Sequence, residues 1–353
     1  MRSAPRAMIL AAGQGKRLRP LTASLAKPAL PLLGRPLIEY TFRRLVRAGV
    51  REVVVNLHHH AESLEPVLDR ARAQLEVHES REAELLGTAG GVKKVGERLS
   101  GKTFLLLNGD TVFDFDLSEL VQRHRSSRAK ATLVLRSKRG GTRFSSVTID
   151  DDGRVVRIDK RDRGPGLMFA GVWLLEPSVL ELLSGRPGGL DVELLPALIE
   201  EKTVFACVQE RSFITVDTPG RYWAASLTMA REGLFEEDWG VRRHCARLFR
   251  GEDTTLGDGM YLEGSVVLGA RCRVGAGACL KNVVCWDDVQ IPAGAVLSNA
   301  VISDGVRIPE GEDFSGKLLM RVPPDRTEIR KREVRGGLVI ASLEIGRSLG
   351  LRS

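Results

Sequence analysis

Short apolar runs separated by amphipathic stretches mark the first two thirds of the chain. Residues 7–12, 53–57, 104–107 and 132–135 are nearly unbroken runs of aliphatic and small residues, the pattern of parallel strands buried on both faces. Between them the period becomes helical. Ile38, Phe42, Leu45 and Val46 form one stripe, with Pro36 at the expected first turn and Gly49 at the expected stop. Residues 61–72, 88–99 and 117–125 read the same way. This alternation over 1–230 predicts a doubly wound α/β sheet, in which ligands bind outside the carboxyl ends of the strands. A glycine loop and Asn108-Gly109-Asp110 both fall at that edge. Residues 147–173 hold strand-like stretches around Asp151-Asp152-Gly153, a hairpin signal, and are expected to form a flap beside the sheet. Asp217 then ends a strand, with Thr218 as N-cap and Pro219 opening a helix.

After about residue 235 the pattern changes again. Leu262, Leu268, Val274, Leu280, Trp286, Ile291, Leu297, Ile302 and Ile308 recur in steps of six, two of them shortened to five, with glycines at intervening turns. Such hexads mark a parallel β-helix, here roughly three coils of about eighteen residues. The expected organisation is an α/β domain over 1–235, a linker over 236–255 and a hexapeptide-repeat β-helix over 256–312. Residues 313–353 form a basic segment containing Pro323-Pro324, to which no fold is assigned.

Composition narrows the class. A chain of 353 residues favours two domains. There is no apolar run long enough to span a bilayer and no signal-peptide pattern, so a cytoplasmic protein outside the membrane is expected. Five cysteines (207, 245, 272, 279 and 285), with no C-x-x-C spacing, fit buried thiols in a reducing compartment. The net charge of +8 is spread along the chain, and only 5% of residues are aromatic. That argues against nucleic acid and for an anionic small-molecule substrate.

The chemistry concentrates in Met8-Ile-Leu-Ala-Ala-Gly13-Gln-Gly15-Lys-Arg17-Leu-Arg-Pro20-Leu-Thr22, followed by Lys27-Pro28. A strand delivers bare backbone N–H groups and two cations to a loop suited to phosphate. It is not a P-loop, because Gly15-Lys16 is followed by Arg17 and the preceding glycine is two residues away; Pro20 blocks a dinucleotide fingerprint. His58-His59-His60 resembles a metal tract but directly follows a strand and has no cysteines nearby, so no metal is expected there.

The loop resembles that of the sugar-1-phosphate nucleotidyltransferases, the nucleotide-sugar pyrophosphorylases. Further motifs of that family follow in order: residues 31–40, Leu86-Gly87-Thr88-Ala89-Gly90-Gly91, Leu107-Asn108-Gly109-Asp110, Phe169-Ala170-Gly171 and Asp217-Thr218-Pro219-Gly220-Arg221-Tyr222. The resemblance covers about 5–230, and the tail is similar to the left-handed β-helix appendices of the same superfamily. It implies a Rossmann-like, doubly wound mixed sheet (the nucleotidyltransferase fold) and transfer of a nucleotidyl group from an NTP to a sugar 1-phosphate. By resemblance, Arg17 and Lys27 are catalytic. Leu10, Ala11, Ala12, Gly13, Gly15, Leu86, Gly87, Thr88, Asn108 and Gly109 would bind the nucleotide, and Lys160 and Gly171 the sugar phosphate. Asp110 and Asp217 would be the Mg²⁺ ligands, a role that suits an ion taking few protein carboxylates; a turn or helix cap is the alternative for each. For residues 86–91 the alternative is a helix start capped by Thr88. Three positions depart from the family pattern: Arg161 where a proline is usual, Ser145 where a glycine is usual, and Lys16.

Within the family, residues 86–91, Glu193-Leu-Leu-Pro196 and the Asp217 motif look most like enzymes using GTP with mannose or manno-heptose 1-phosphate. Uridylyl, thymidylyl and adenylyl transfer stay open. A β-helix acyltransferase is a different class, but such sites employ a coil histidine and none follows His244. A non-catalytic subunit would carry degraded motifs, whereas Arg17, Lys27, Asp110 and Asp217 are all present. The coil's flat faces predict a homo-oligomer.

Overall fold

The computed structural model describes residues 5–138, 144–233, 248–325, 327, 329 and 334–343. Most of the expected linker, with Cys245, lies outside the described residues, as do parts of 313–353. The chain forms two compact units, one made of Met1–Gln14 with Ile38–Phe213 and the other of Gly15–Leu37 with Ile214–Ser353.

In the first unit the strand Arg6–Leu10 runs parallel between Glu52–Leu57 and Phe104–Asn108, and Glu76–Arg81 pairs parallel beyond Glu52–Leu57. Ala7, Met8 and Ile9 have no exposed surface, as an apolar run covered on both faces requires. Leu10 lies level with Asn56 and Asn108, so three strands end at one edge. On the other side the sheet is mixed. Gly166–Leu175 runs antiparallel to both Phe104–Asn108 and Ala131–Lys138, and Val204–Val208 pairs parallel with the latter.

The expected flap is therefore only partly right. Ser146–Ile149 and Val155–Asp159 do form a hairpin, but Gly166–Leu175 lies inside the sheet. Its run from Met168 to Leu175 is buried except for Phe169, because helices and strands cover it. Pro36 does not open a helix; it pairs in the two-residue strand Arg35–Pro36, and the helix Leu37–Arg47 starts just after it. Gly49, at φ +76°, ends that turn as expected.

In the second unit, Tyr261 lies opposite Cys279, eighteen residues on, and Cys279 opposite Val296, seventeen on, all in parallel register. Three columns of left-handed residues turn the chain: Asp253, Arg271, Asp288 and Gly305; Gly259, Gly277, Gly294 and Gly311; Gly264, Asn282, Asn299 and Gly316. Their φ values lie between +51° and +73°. Glycine tolerates this region freely, and asparagine and aspartate better than most. Arg271 is the exception; its guanidinium is tied to Asp288 at 2.7 Å and Asp287 at 3.3 Å. The shortening from eighteen to seventeen residues falls at an irregularity between Glu263 and Val266, beside Gly264, whose missing side chain makes room for Asn282.

The hexad reading needs one correction. Leu268, Cys285 and Ile302 share a register position, and all three face the coil core. Trp286 sits one residue further on and points outward to Tyr222. Within 313–353, to which the sequence assigned no fold, Lys317–Arg321 continues the parallel ladder and pairs antiparallel with Leu338–Ser342.

Candidate active site

In the first unit the glycine loop is anchored by a buried polar chain. Leu10 is the last residue of its strand, and the Ala11 N–H donates to Asn56 Oδ1 at 2.8 Å. Asn56 Nδ2 donates to Glu82 Oε1 at 2.7 Å, and Glu82 Oε2 accepts from the Leu86 N–H at 3.0 Å. Asn56 and Glu82 are 2% and 5% exposed, so these bonds are made away from water. They tie the glycine loop to residues 86–91. A Cβ on Gly91 would stand 3.0 Å from both Asn56 Nδ2 and Glu82 Oε1, so a bare backbone is needed there. Ala12 is buried, whereas Gly13 faces open space.

Residues 86–91 form the start of the helix Gly87–Lys94. Gly87 has φ +70°, and a Cβ there would strike the Gly188 carbonyl at 2.3 Å. The Thr88 cap alternative does not hold: the N-cap position is Leu86, and the Thr88 hydroxyl accepts the Leu190 N–H at 2.9 Å. Next to Leu190, Asp191 pairs with Lys160 at 2.5 Å. Lys160 is thereby linked to the same loop, with its side chain 61% exposed.

Asn108 and Gly171 meet. Gly171, at φ +78°, lies within an irregularity of its strand between Phe169 and Trp173, and a Cβ there would come within 3.1 Å of Asn108 Nδ2. The Gly109 N–H donates to the Leu10 carbonyl at 2.9 Å. Asp110 follows half-buried at the same strand edge.

In the second unit Gly15, at φ +59°, accepts the Thr22 hydroxyl at its carbonyl, 3.0 Å away, and packs against Thr22 and Lys27. Arg17 lies in the short turn that follows, and Lys27 opens another, closed by Leu30 N–H donating to the Lys27 carbonyl. Arg17 Nη1 lies 3.2 Å from Asp217 Oδ2, and Arg221 Nε lies 3.4 Å from Asp217 Oδ1. Asp217 is 8% exposed, and its Oδ1 is buried with no hydrogen-bond partner. A buried carboxylate oxygen that makes no hydrogen bond, with the Arg221 ion pair beside it, fits a hard divalent cation as a further partner. Thr218 caps the following helix, Pro219–Glu232, accepting the Arg221 N–H, as expected.

Asn56, Glu82, Gly188, Asp191 and Arg221 were not singled out from the sequence. Asn56 and Glu82 sit at or just beyond strand ends, where a polar residue closing an apolar run is the available signal. Of the three histidines, His58 Nδ1 is 3.0 Å from the Glu82 carbonyl and His60 Nδ1 is 3.4 Å from the Glu62 carboxylate; no cluster of three His, Cys, Asp or Glu residues that could hold a metal occurs among the described residues.

A family model described as nucleotidyl transferase matches residues 6–289. The chain belongs to this nucleotidyl transferase family. It is similar to a mannose-1-phosphate guanylyltransferase of Mycobacterium tuberculosis, 29% identical over 291 residues, which span 81% of this chain and 80% of that one. It is also similar to a UTP–glucose-1-phosphate uridylyltransferase of Synechocystis, 26% identical over 321 residues, 80% of this chain and 83% of that one. The crystal structure of HddC from Yersinia pseudotuberculosis shares the fold, with a TM-score of 0.57 at 23% identity over 64% of this chain and 99% of that one. No helix among the described residues is long and apolar enough to cross a membrane.

Proposed function

We propose that the chain transfers a nucleotidyl group from a nucleoside triphosphate to a sugar 1-phosphate, giving a nucleotide sugar and pyrophosphate. The leading pair is GTP with mannose or manno-heptose 1-phosphate, in line with the guanylyltransferase relative. The uridylyltransferase relative keeps UTP with glucose 1-phosphate as the second reading. The observation that carries the proposal is the Arg17–Asp217 pair beside the Gly15 and Lys27 turns, in a chain whose relatives handle sugar 1-phosphates.

An oxygen of the sugar phosphate attacks the α-phosphorus, and the bond to the β-phosphate breaks. The nucleophile is already an anion, so no side chain need remove a proton; the barrier lies in alignment and charge. Arg17, largely exposed, is free to turn from Asp217 to the leaving pyrophosphate, and Lys27 adds a second positive charge. Backbone N–H groups around Gly13 and Gly15 cradle the triphosphate. Residues 86–88 receive the base, with Asn108 and Gly109 beside the nucleotide, while Lys160 and Gly171 hold the sugar phosphate. Asp110 and Asp217 would hold Mg²⁺, which supplies charge neutralisation on the phosphate oxygens when bound.

The repeat would form a left-handed β-helix that joins copies of the chain in a homo-oligomer. Support comes from Tyr261, Cys279 and Val296, which lie side by side in the ladder with Tyr261 and Val296 61% and 62% exposed. Light scattering should give a multiple of the chain mass; a monomer would refute the assembly.

The reaction is tested by offering five triphosphates against several sugar 1-phosphates with Mg²⁺ and reading pyrophosphate. One pair should dominate, and Asp110→Asn should lose turnover while keeping its circular dichroism. Silence across the whole matrix overturns the proposal.

A further inference from the structure

The second unit contains a polar relay that the mechanism above does not use. Tyr222, five residues after Asp217, is 1% exposed, and its hydroxyl makes two bonds. It donates to the Pro31 carbonyl and accepts from Trp286 Nε1 at 2.7 Å. The two rings meet edge-on, 6.1 Å apart at 76°. A second tie lies one residue along: Trp223 Nε1 donates to the Asn282 carbonyl at 2.8 Å. Asn282 is one of the left-handed corner residues of the coil.

Each end of the relay touches a piece of the proposed machinery. Pro31 directly follows Leu30, whose N–H closes the Lys27 turn. The Tyr222 N–H donates to the Thr218 carbonyl at 2.9 Å in the first turn of the helix that Asp217 precedes. Trp286 belongs to the coil, one residue past the inward-facing Cys285. The coil thus grips, through one buried hydroxyl, both the turn bearing Lys27 and the helix that aims Asp217. A buried hydroxyl with donor and acceptor both engaged is costly to remove, because each partner is then left bare.

We propose that Tyr222 and Trp286 are positioning residues for nucleotidyl transfer, and that the coil contributes to catalysis by holding the Lys27 turn and the Asp217 helix in register. This rests on the reaction proposed above. Misplacement of charged groups by a fraction of an ångström to an ångström is enough to slow an in-line displacement strongly.

The test uses the full chain with Tyr222→Phe, Trp286→Phe and, as a comparison, Leu297→Ala. Tyr222→Phe removes only the hydroxyl, whereas Trp286→Phe keeps an aromatic ring but removes the indole N–H together with part of the buried ring system, a loss of packing for which Leu297→Ala is the control. The third opens the buried coil core at a residue 1% exposed, with no part in the relay. Rates are read well below each variant's own melting midpoint, so that unfolding does not enter. Both relay variants should lose about tenfold or more in kcat with KM for the triphosphate within about threefold, while Leu297→Ala keeps the wild-type kcat. In parallel, trypsin cleavage after Lys16 and Arg17 should accelerate in the relay variants and not in Leu297→Ala. If Tyr222→Phe does not fold, Trp286→Phe alone decides. Unchanged kcat in a folded relay variant, or an equal loss in Leu297→Ala, overturns the proposal. A wild-type chain inactive with every substrate pair overturns the reaction alone; the cleavage rates then decide whether the relay holds the loop, and unchanged rates sink it.

Discussion

Single residues carry the site through what they lack as much as through what they bring. Gly15 is the sharpest case. Its φ of +59° lies in the left-handed region, and a Cβ there would stand 2.9 Å from Thr22 Cγ2 and 3.3 Å from Lys27 Cβ. Thr22 has no exposed surface and cannot retreat. Gly15→Ala should therefore destabilise the chain by about 1–3 kcal/mol, combining backbone strain with the clash. It should also displace Lys27, lowering kcat beyond what stability explains. Urea unfolding and steady-state kinetics check both, and a variant as stable and as fast as wild type refutes the argument. Gly15, Arg17 and Lys27 stand out in the sequence as candidates because glycines and cations directly after an apolar run add little to a core and suit a bound phosphate, whereas Asp217 stands out through the family resemblance of its motif. Asn56 and Glu82 were not legible. Their role depends on three strand ends being level, a register that no local pattern contains.

At the scale of elements, the buried parallel strands and the repeating ladder of the tail announced themselves through periodicity, and the misses came where a strand carried no apolar run or a neighbouring turn signal dominated. Glu76–Arg81 is mostly polar along an edge, with Val77 its one apolar residue and only Ser80 buried, so it gave no apolar run to read. Gly166–Leu175 looked like a flap because the hairpin signal at Asp151-Asp152-Gly153 dominated its neighbourhood, while its place between two antiparallel partners is a tertiary fact. The helix Leu117–Ser127 offers a test of packing. Its His124 is 2% exposed, bonded through Nδ1 to Thr132 Oγ1 at 2.8 Å and through Nε2 to Glu176 at 3.0 Å. Burial pushes its pKa below the usual imidazole value, with the Glu176 carboxylate opposing that and Arg125 adding to it. The folded chain then keeps His124 neutral where the unfolded chain already takes up a proton. Stability from this group is present above the ordinary imidazole pKa and is lost as pH falls through it toward the lower folded value. Thermal melts from pH 7 downward should show a smaller acid loss in His124→Gln than in wild type. Parallel pH profiles would refute it.

For the whole molecule, the reading of the sequence into an α/β domain over 1–235 and a separate coil meets a different grouping of contacts. Gly15–Leu37, the stretch with Arg17 and Lys27, clusters with Ile214 and everything after it. The physical reason is the face of the helix Pro219–Glu232: Tyr222, Trp223, Leu227 and Met229 are all buried, and the two aromatics spend their polar atoms on Pro31, Trp286 and Asn282. Hexad counting could not reveal this, since it assigned Trp286 to the coil interior. A fragment ending at residue 235 would expose those aromatics to water, at about 2 kcal/mol apiece. That is a large part of the roughly 5–15 kcal/mol that holds a domain together. The fragment should therefore keep the sheet of the first unit, read as far-ultraviolet circular dichroism, yet lose order in the segment tied to Tyr222. Trypsin should cut it rapidly after Lys16 and Arg17, where the full chain resists, and it should transfer no nucleotide. A fragment that resists trypsin like the full chain, or that turns over substrate at a comparable rate, would show that the coil is an appendage and not a support for the loop.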